Sequence, residues 1–222
     1  AAAGSNHWCS IDTDGLLSCW GEEFCGEEAL INAYYFGADD PEDCHSTRVT
    51  ETPPAHPVRT LASSTRGTCA IDQQGEIECW GGIYEIDPFG STVSFASVEG
   101  EYLQIDMRVR RTCAIQRGGE LTCWKPGSSA PETSYDQYIQ VAVDGYSDYW
   151  GGHCAIDLEN RLHCSDYDAE DLPDIEATAV SVGGDFGCAL DTAGEVHCWG
   201  DDTYGKISDA PSGSFKLLSL GL

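Results

Sequence analysis

The chain has 222 residues, with 11 Lys and Arg against 38 Asp and Glu, for a formal charge of −27 at pH 7. That balance excludes an ordinary nucleic-acid backbone binder, which needs clustered cations, and an anionic membrane surface would repel the chain. At 41% apolar residues it can bury a core, and no apolar run approaches the roughly 18 residues of a membrane-spanning helix.

Along the chain, five segments align without gaps: Cys9 to Trp20, Cys69 to Trp80, Cys113 to Trp124, Cys154 to Ser165 and Cys188 to Trp199. Each reads Cys, nine residues, Cys, and the connections between them vary in length. A constant unit with variable connections is an array of supersecondary modules. In the first copy, pairing the cysteines across an antiparallel hairpin opposes Asp12 to Leu16 and leaves Thr13-Asp14-Gly15 as a three-residue loop. Such a loop needs a left-handed residue at its last position. The occupants there are Gly15, Gly75, Gly119, Asn160 and Gly194, four glycines and a residue that tolerates positive φ. Alternation puts Cys9, Ile11, Leu17 and Cys19 on the buried face.

Cysteines directly opposed in a hairpin are close enough to bridge. The expected disulfides are Cys9–Cys19, Cys69–Cys79, Cys113–Cys123, Cys154–Cys164 and Cys188–Cys198, with Cys25 and Cys44 left as a sixth pair. Zinc is disfavoured because structural sites bring ligands in pairs two to four residues apart. Twelve bridged cysteines imply an oxidising compartment: secreted, periplasmic or at the cell surface.

After the first hairpin comes the longest insertion, 22–59, with the apolar run Ala29 to Phe36 and a Pro-rich exit. Strand-like stretches precede the later hairpins at Leu61 to Ser63, Ile105 to Met107, Val141 to Val143 and Val180 to Val182. The first hairpin has no such strand ahead of it, whereas Phe215 to Gly221 has the pattern of Ala179 to Gly183. Pairing the chain ends would close a ring and remove exposed edges. Five units of about 44 residues match four-stranded blades.

The stretches Val-Ser-Val-Gly-Gly (180–184), Cys-Ala-Leu-Asp-Thr-Ala-Gly-Glu-Val-His-Cys-Trp-Gly (188–200) and Asp-Asp-Thr-Tyr-Gly-Lys-Ile (201–207) resemble the regulator of chromosome condensation repeat. They are most similar to its cysteine-bearing form in secreted bacterial proteins. The resemblance spans all five copies and implies an all-β, five-bladed β-propeller as one domain, 1–222, where most members have seven blades. Copies one to four lack the Tyr-Gly-Gln-Leu-Gly stretch of the family after Trp-Gly. The resemblance also implies binding rather than chemistry, since relatives act as a nucleotide-exchange factor that binds chromatin and as a secreted β-lactamase inhibitor. The charge of this chain argues against the chromatin role.

Trp20, Trp80, Trp124 and Trp199 hold a fixed repeat position, which points to packing between blades. Recognition is expected on the insertions. Gly145 to Gly152 sets Tyr146, Asp148, Tyr149 and Trp150 among small residues, a composition of binding surfaces. Tyr34 and Tyr35 lie in the cysteine-closed insertion. These six residues are the candidate partner-binding set, with a protein partner expected, a glycan or a structural role in a surface assembly as alternatives, and no nucleic acid.

No metal or other cofactor is expected. Calcium is the one ion the acids suggest, through Asp166, Asp168, Glu170 and Asp171. A histidine metal site at His163 or His197 has little support, because the first three copies carry Ser18, Glu78 and Thr122 there. There is no nucleophile elbow, metalloprotease motif or phosphate loop. Asp106, Asp144 and Asp185 are the acids nearest the expected channel, and an enzyme would need them to converge; the reading is that the chain is not an enzyme.

Overall fold

The computed structural model describes residues 1–4, 7–21, 53–64, 67–81, 85–86, 92–93, 100–108, 111–124, 131–144 and 152–220. They form two compact units, Ala1–Tyr102 and Leu103–Leu222. All regular structure in them is β apart from a single 3-10 turn at Thr203–Gly205. Cys25, Cys44, Tyr34, Tyr35, Tyr146, Asp148, Tyr149 and Trp150 lie outside the described residues.

In the first unit, β1 (Ala2–Ala3), β2 (His7–Ile11) and β3 (Leu17–Gly21) make one sheet, and β4 (Val58–Ser63), β5 (Gly67–Asp72) and β6 (Ile77–Gly81) a second. A two-stranded ribbon comes next, β7 (Glu85–Ile86) with β8 (Thr92–Val93). From Tyr102 onward come β9 (Tyr102–Arg108), β10 (Arg111–Gln116), β11 (Glu120–Trp124), β12 (Glu132–Val143), β13 (His153–Asp157) and β14 (Leu162–Cys164), one six-stranded sheet in the order β14-β13-β12-β11-β10-β9. The last sheet is β15 (Ala177–Gly183), β16 (Phe186–Asp191) and β17 (Val196–Gly200).

The six-stranded sheet is two repeats fused through β12. Its first half, to Gln137, pairs with β11 as a fourth strand; its second half, from Tyr138, leads into β13. The register shifts between Tyr138 and Gln140 mark the junction.

All five repeat cores fold as the expected hairpins, with Cys opposite Cys in register. The five hairpin disulfides are formed, at Cα separations of 4.0 to 4.1 Å. Gly15, Gly75, Gly119, Asn160 and Gly194 all have positive φ. Four loops carry a further device: Asp12, Asp72, Asp157 and Asp191 each accept two backbone N–H bonds on Oδ1, as Asp157 does from Glu159 and Arg161. This aspartate cap satisfies donors that a three-residue loop leaves free.

The left-handed residue also ties each hairpin to the next segment of the chain. Its carbonyl accepts the N–H of Val58, Tyr102, Tyr138, Ala177 and Phe215 in the five copies, at 2.7 to 2.9 Å. In the first four copies the donor opens a stretch of six or seven residues that leads into the next repeat. Phe215 to Leu220 is therefore a further copy of that stretch by position, although it is not a strand. Ser181 Oγ accepts Leu220 N–H at 3.0 Å, the counterpart of Asp106 Oδ2 accepting Val143 N–H at 2.8 Å.

The start of the chain corrects one expectation. The first hairpin does have a strand ahead of it: Ala2 pairs with Cys9 as Ala62 pairs with Cys69. Three alanines show no hydrophobic alternation, so this strand is invisible to a pattern search and is set by register alone.

The core lies along the hairpins. Cys9, Val58, Ala70 and Trp80 cluster in the first unit with Ile11, Leu17 and Cys19 against them. In the second unit Trp199 joins Ala142, Cys154, Ile156 and Val180. Trp80 and Trp199 thus pack onto the disulfide hairpin before their own, at 6% and 4% exposure, whereas Trp20 is 50% exposed. Each fully buried isoleucine, such as Ile71 or Ile156, is worth about 1.5–3 kcal/mol.

Candidate functional site

Each leading strand turns back into its hairpin at the end opposite the three-residue loops. In three repeats that turn is short: Gly4 N–H bonds His7 O, Ser64 N–H bonds Gly67 O, and Gly183 pairs with Phe186, with two residues between the partners. In the fourth repeat the same bond runs from Asp144 N–H to Gly152 O at 2.9 Å. The chain thus leaves and re-enters the sheet at a hydrogen-bonded base on either side of 145–151, where Val143 and His153 are the last paired residues.

The described side chains around that base are acidic and aromatic. Asp144 is buried. Tyr167 meets Trp199 edge to face, with ring centroids 6.3 Å apart. Burial pushes the Tyr167 phenol above its ordinary value, and the charges of Asp144, Asp185 and Asp166 push the same way. Lys206 lies over the Phe186 ring, 5.0 Å from its centroid, and donates to Asp185 at 2.8 Å while pairing with Asp201 at 3.1 Å. Its hydrogen bond to Asp185 holds the ammonium above its usual range. The lysine stands where the family stretch has Gln, and only the fifth copy has this segment; nothing in the sequence pattern signals that it anchors two acids.

Of the three acids weighed for catalysis, Asp106 and Asp185 have their carboxylates engaged. Asp106 accepts Val143 N–H on one oxygen and Met107 N–H on the other. Burial raises its pKa, against the lowering effect of those bonds. Asp185 is paired with Lys206. The residues suggested for calcium do not gather: among the described residues, Asp166, Asp168, Glu170 and Asp171 form no group of converging ligands, and Asp166 accepts from Ser165 Oγ at 3.0 Å.

The opposite end holds the histidines. His163 Nε2 and Asp157 Oδ2 are 2.8 Å apart, and Arg161 Nε donates to the same oxygen at 2.9 Å. Burial works to raise the Asp157 carboxyl, but the bonds from His163 and Arg161 outweigh it and hold the group down to about 2. His197 Nε2 and Asp191 Oδ2 repeat the pair at 3.0 Å. Elsewhere, His7 is buried with Nε2 3.0 Å from Thr68 Oγ1, and Thr68 continues to Ser63 Oγ at 2.9 Å. Burial depresses the His7 pKa.

Comparison with known proteins supports the repeat assignment. The Regulator of chromosome condensation (RCC1) repeat matches residues 177–206. No curated protein matches the sequence. Among solved structures, the chain is similar to the CRINKLY WD40 ectodomain of the Arabidopsis thaliana receptor kinase ACR4, at 18% identity and a TM-score of 0.63, covering 97% of this chain and 69% of that one. It is also similar to Prp20p from Saccharomyces cerevisiae, in a structure described with its binding properties to Gsp1p and histones, at 13% identity and a TM-score of 0.62 over 94% of this chain and 59% of the other. Yeast RCC1 (Prp20) bound to Kap60 gives 13% identity, a TM-score of 0.62, and 94% and 57% coverage. The chain spans 57 to 69% of the length of these neighbours. No helix among the described residues is long and apolar enough to cross a membrane. Residues 177–206 thus match an RCC1 repeat, and the chain shares the fold of these solved structures.

Proposed function

We propose that the chain is a noncatalytic extracellular recognition module that binds a protein partner through 145–151, with Tyr146, Asp148, Tyr149 and Trp150 as contacts and Tyr34 and Tyr35 as a second set. The observation that carries this reading is the Asp144–Gly152 bond: where sister repeats place two residues, the fourth places seven, three of them aromatic, on a closed base. A hydrogen-bonded base lowers the entropy cost of ordering a paratope-like segment. The charges of Asp144 and Asp166 beside it suit a partner with exposed Lys or Arg. Five described disulfides support an oxidising compartment. Protein binding is also a property of the yeast neighbour, seen with Kap60.

In this reading residues 1–222 form a single five-bladed propeller closed by pairing of its N- and C-terminal segments, Phe215 to Leu220 being the C-terminal one. The bonds to Gly194 O and Ser181 Oγ support the segment as a leading strand awaiting a hairpin.

The test is affinity capture from the secreted and envelope fractions of the source organism, comparing the wild-type chain with a Tyr146/Tyr149/Trp150→Ala variant. One protein enriched by wild type and lost with the variant, then confirmed by titration of the purified pair, is the expected result. Equal capture by both baits would refute the assignment to 145–151, and glycan-array binding without any protein would move the function to sugar recognition.

A further inference from the structure

The fourth and fifth hairpins use the same scaffold for different electrostatics. In the fourth, Asp157 caps the loop with Oδ1 and turns Oδ2 toward His163. The Arg161 guanidinium sits on that same Oδ2, at 2.9 Å from Nε and 2.9 Å from Nη2. The cluster thus contains its own cation. In the fifth, Asp191 caps the loop in the same way and turns Oδ2 toward His197. The position of Arg161 is taken by Glu195. An acid has replaced the cation next to a carboxylate and an imidazole.

Asp191, Glu195 and His197 each place a ligand atom within 4.8 Å of the other two. Neighbouring ligands on a tetrahedral zinc lie about 3.3–3.6 Å apart, from bond lengths near 2.0–2.2 Å. The 3.0 Å between His197 Nε2 and Asp191 Oδ2 is close to that spacing without rearrangement of the strands, and Glu195 reaches from the loop on a flexible stem. The first three hairpins carry Ser18, Glu78 and Thr122 in place of the histidine, so the fifth is alone among them in joining an imidazole to two carboxylates.

We infer that Asp191, Glu195 and His197 bind a divalent zinc ion, one oxygen from each carboxylate and Nε2 of the imidazole, with water as the fourth ligand. The ion takes the place that the Arg161 guanidinium holds in the sister hairpin, and it neutralises the two adjacent carboxylates. Two carboxylate oxygens are too few for calcium, which takes six to eight oxygens, and the imidazole nitrogen suits zinc. Binding through Nε2 puts the single N–H of the neutral imidazole on Nδ1. The described cysteines are all bridged, so none of them offers a competing thiolate. A zinc clip here would cross-link the loop end of the fifth hairpin independently of its disulfide.

The test is calorimetric titration of the intact, oxidised chain with zinc chloride, in parallel with His197→Ala, Glu195→Arg and His163→Ala. Glu195→Arg installs the side chain that the fourth hairpin already accommodates, so it keeps the turn while supplying the cation internally. The expected result is one saturable zinc per chain, weakened at least 10-fold by His197→Ala and by Glu195→Arg, unchanged by His163→Ala, and not competed by millimolar calcium. Circular dichroism of each variant establishes that it is folded. Absence of saturable binding by the wild type below about 100 µM zinc, a weak affinity on the scale of specific sites, would overturn the inference. So would equal binding by His197→Ala, which would place the ion elsewhere on the acidic surface.

Discussion

Asp157 concentrates several interactions in one buried carboxylate, since it holds two loop N–H groups, Arg161 and His163. Replacing it with Ala strips the donors of their acceptor, and the expected loss is about 1–3 kcal/mol of unfolding free energy. Its folded pKa of about 2 lies below the ordinary 3.8, so the stability it contributes is complete above 3.8 and is lost as pH falls toward 2. Denaturant titrations between pH 5 and 2 on wild type and Asp157→Asn check this: the acid slope should be shallower in the variant. His7 acts at higher pH with the same sense. Burial lowers its folded pKa while the unfolded imidazole ionises near 6.5, so below 6.5 the unfolded chain binds a proton that the fold refuses. Stability should fall as pH drops through 6.5 toward the depressed value, and His7→Gln should flatten that part of the curve. Gly194 has φ of 82°, and a Cβ there would lie 2.6 Å from Phe215 O. Gly194→Ala should cost at least about 1–2 kcal/mol, measurable by chemical denaturation, whereas Asn160→Gly should change little.

Between elements, two glutamines act as lateral clips. Gln104 donates from Nε2 to Val141 O and accepts Val141 N–H on Oε1, at 3.0 and 2.9 Å. Gln140 does the same to Val180 at 3.1 and 3.2 Å. Each amide substitutes for a neighbouring strand where side chains keep leading strands apart. Gln104→Ala leaves both Val141 groups without that partner, and we expect a loss of about 1–3 kcal/mol with faster amide exchange at Val141, read by hydrogen–deuterium exchange. The hairpins were legible in sequence because their signal is local: two cysteines ten residues apart and one left-handed position decide the register. Gln104 was not legible, since its partner is 37 residues away and a glutamine in a strand announces nothing. The aspartate caps were partly legible, their spacing being visible in Asp12-Thr13-Asp14-Gly15, but that pattern reads as a turn before it reads as a hydrogen-bond acceptor. Ala2–Ala3 carries no pattern at all. At the candidate site, the sequence located the insertion through its length relative to the sister copies, while the acidic surround of Tyr167 arises only when segments 144, 166, 185 and 206 meet in the fold.

For the whole molecule, the five described disulfides each fix one hairpin and none joins two hairpins. Each closes a short loop, so its share is about 2 kcal/mol on the chain-entropy account. Full reduction should therefore lower the unfolding midpoint in a sum of small steps. Ala2–Ala3 hold the edge of the first hairpin, so deleting Ala1–Ala3 should lower the midpoint, and truncation after Ser214, which removes the bonds to Gly194 O and Ser181 Oγ, should lower it as well. The central claim is that recognition sits on the end bearing 145–151. The measurement that tests it most directly is a hydrogen–deuterium exchange footprint of the chain with its captured partner, read peptide by peptide. Protection of 145–151 and of the flanking strand ends at 141–144 and 152–155 is expected, with the three-residue hairpin loops unchanged. Protection confined to the hairpin loops, with 145–151 exchanging as in the free chain, would contradict it.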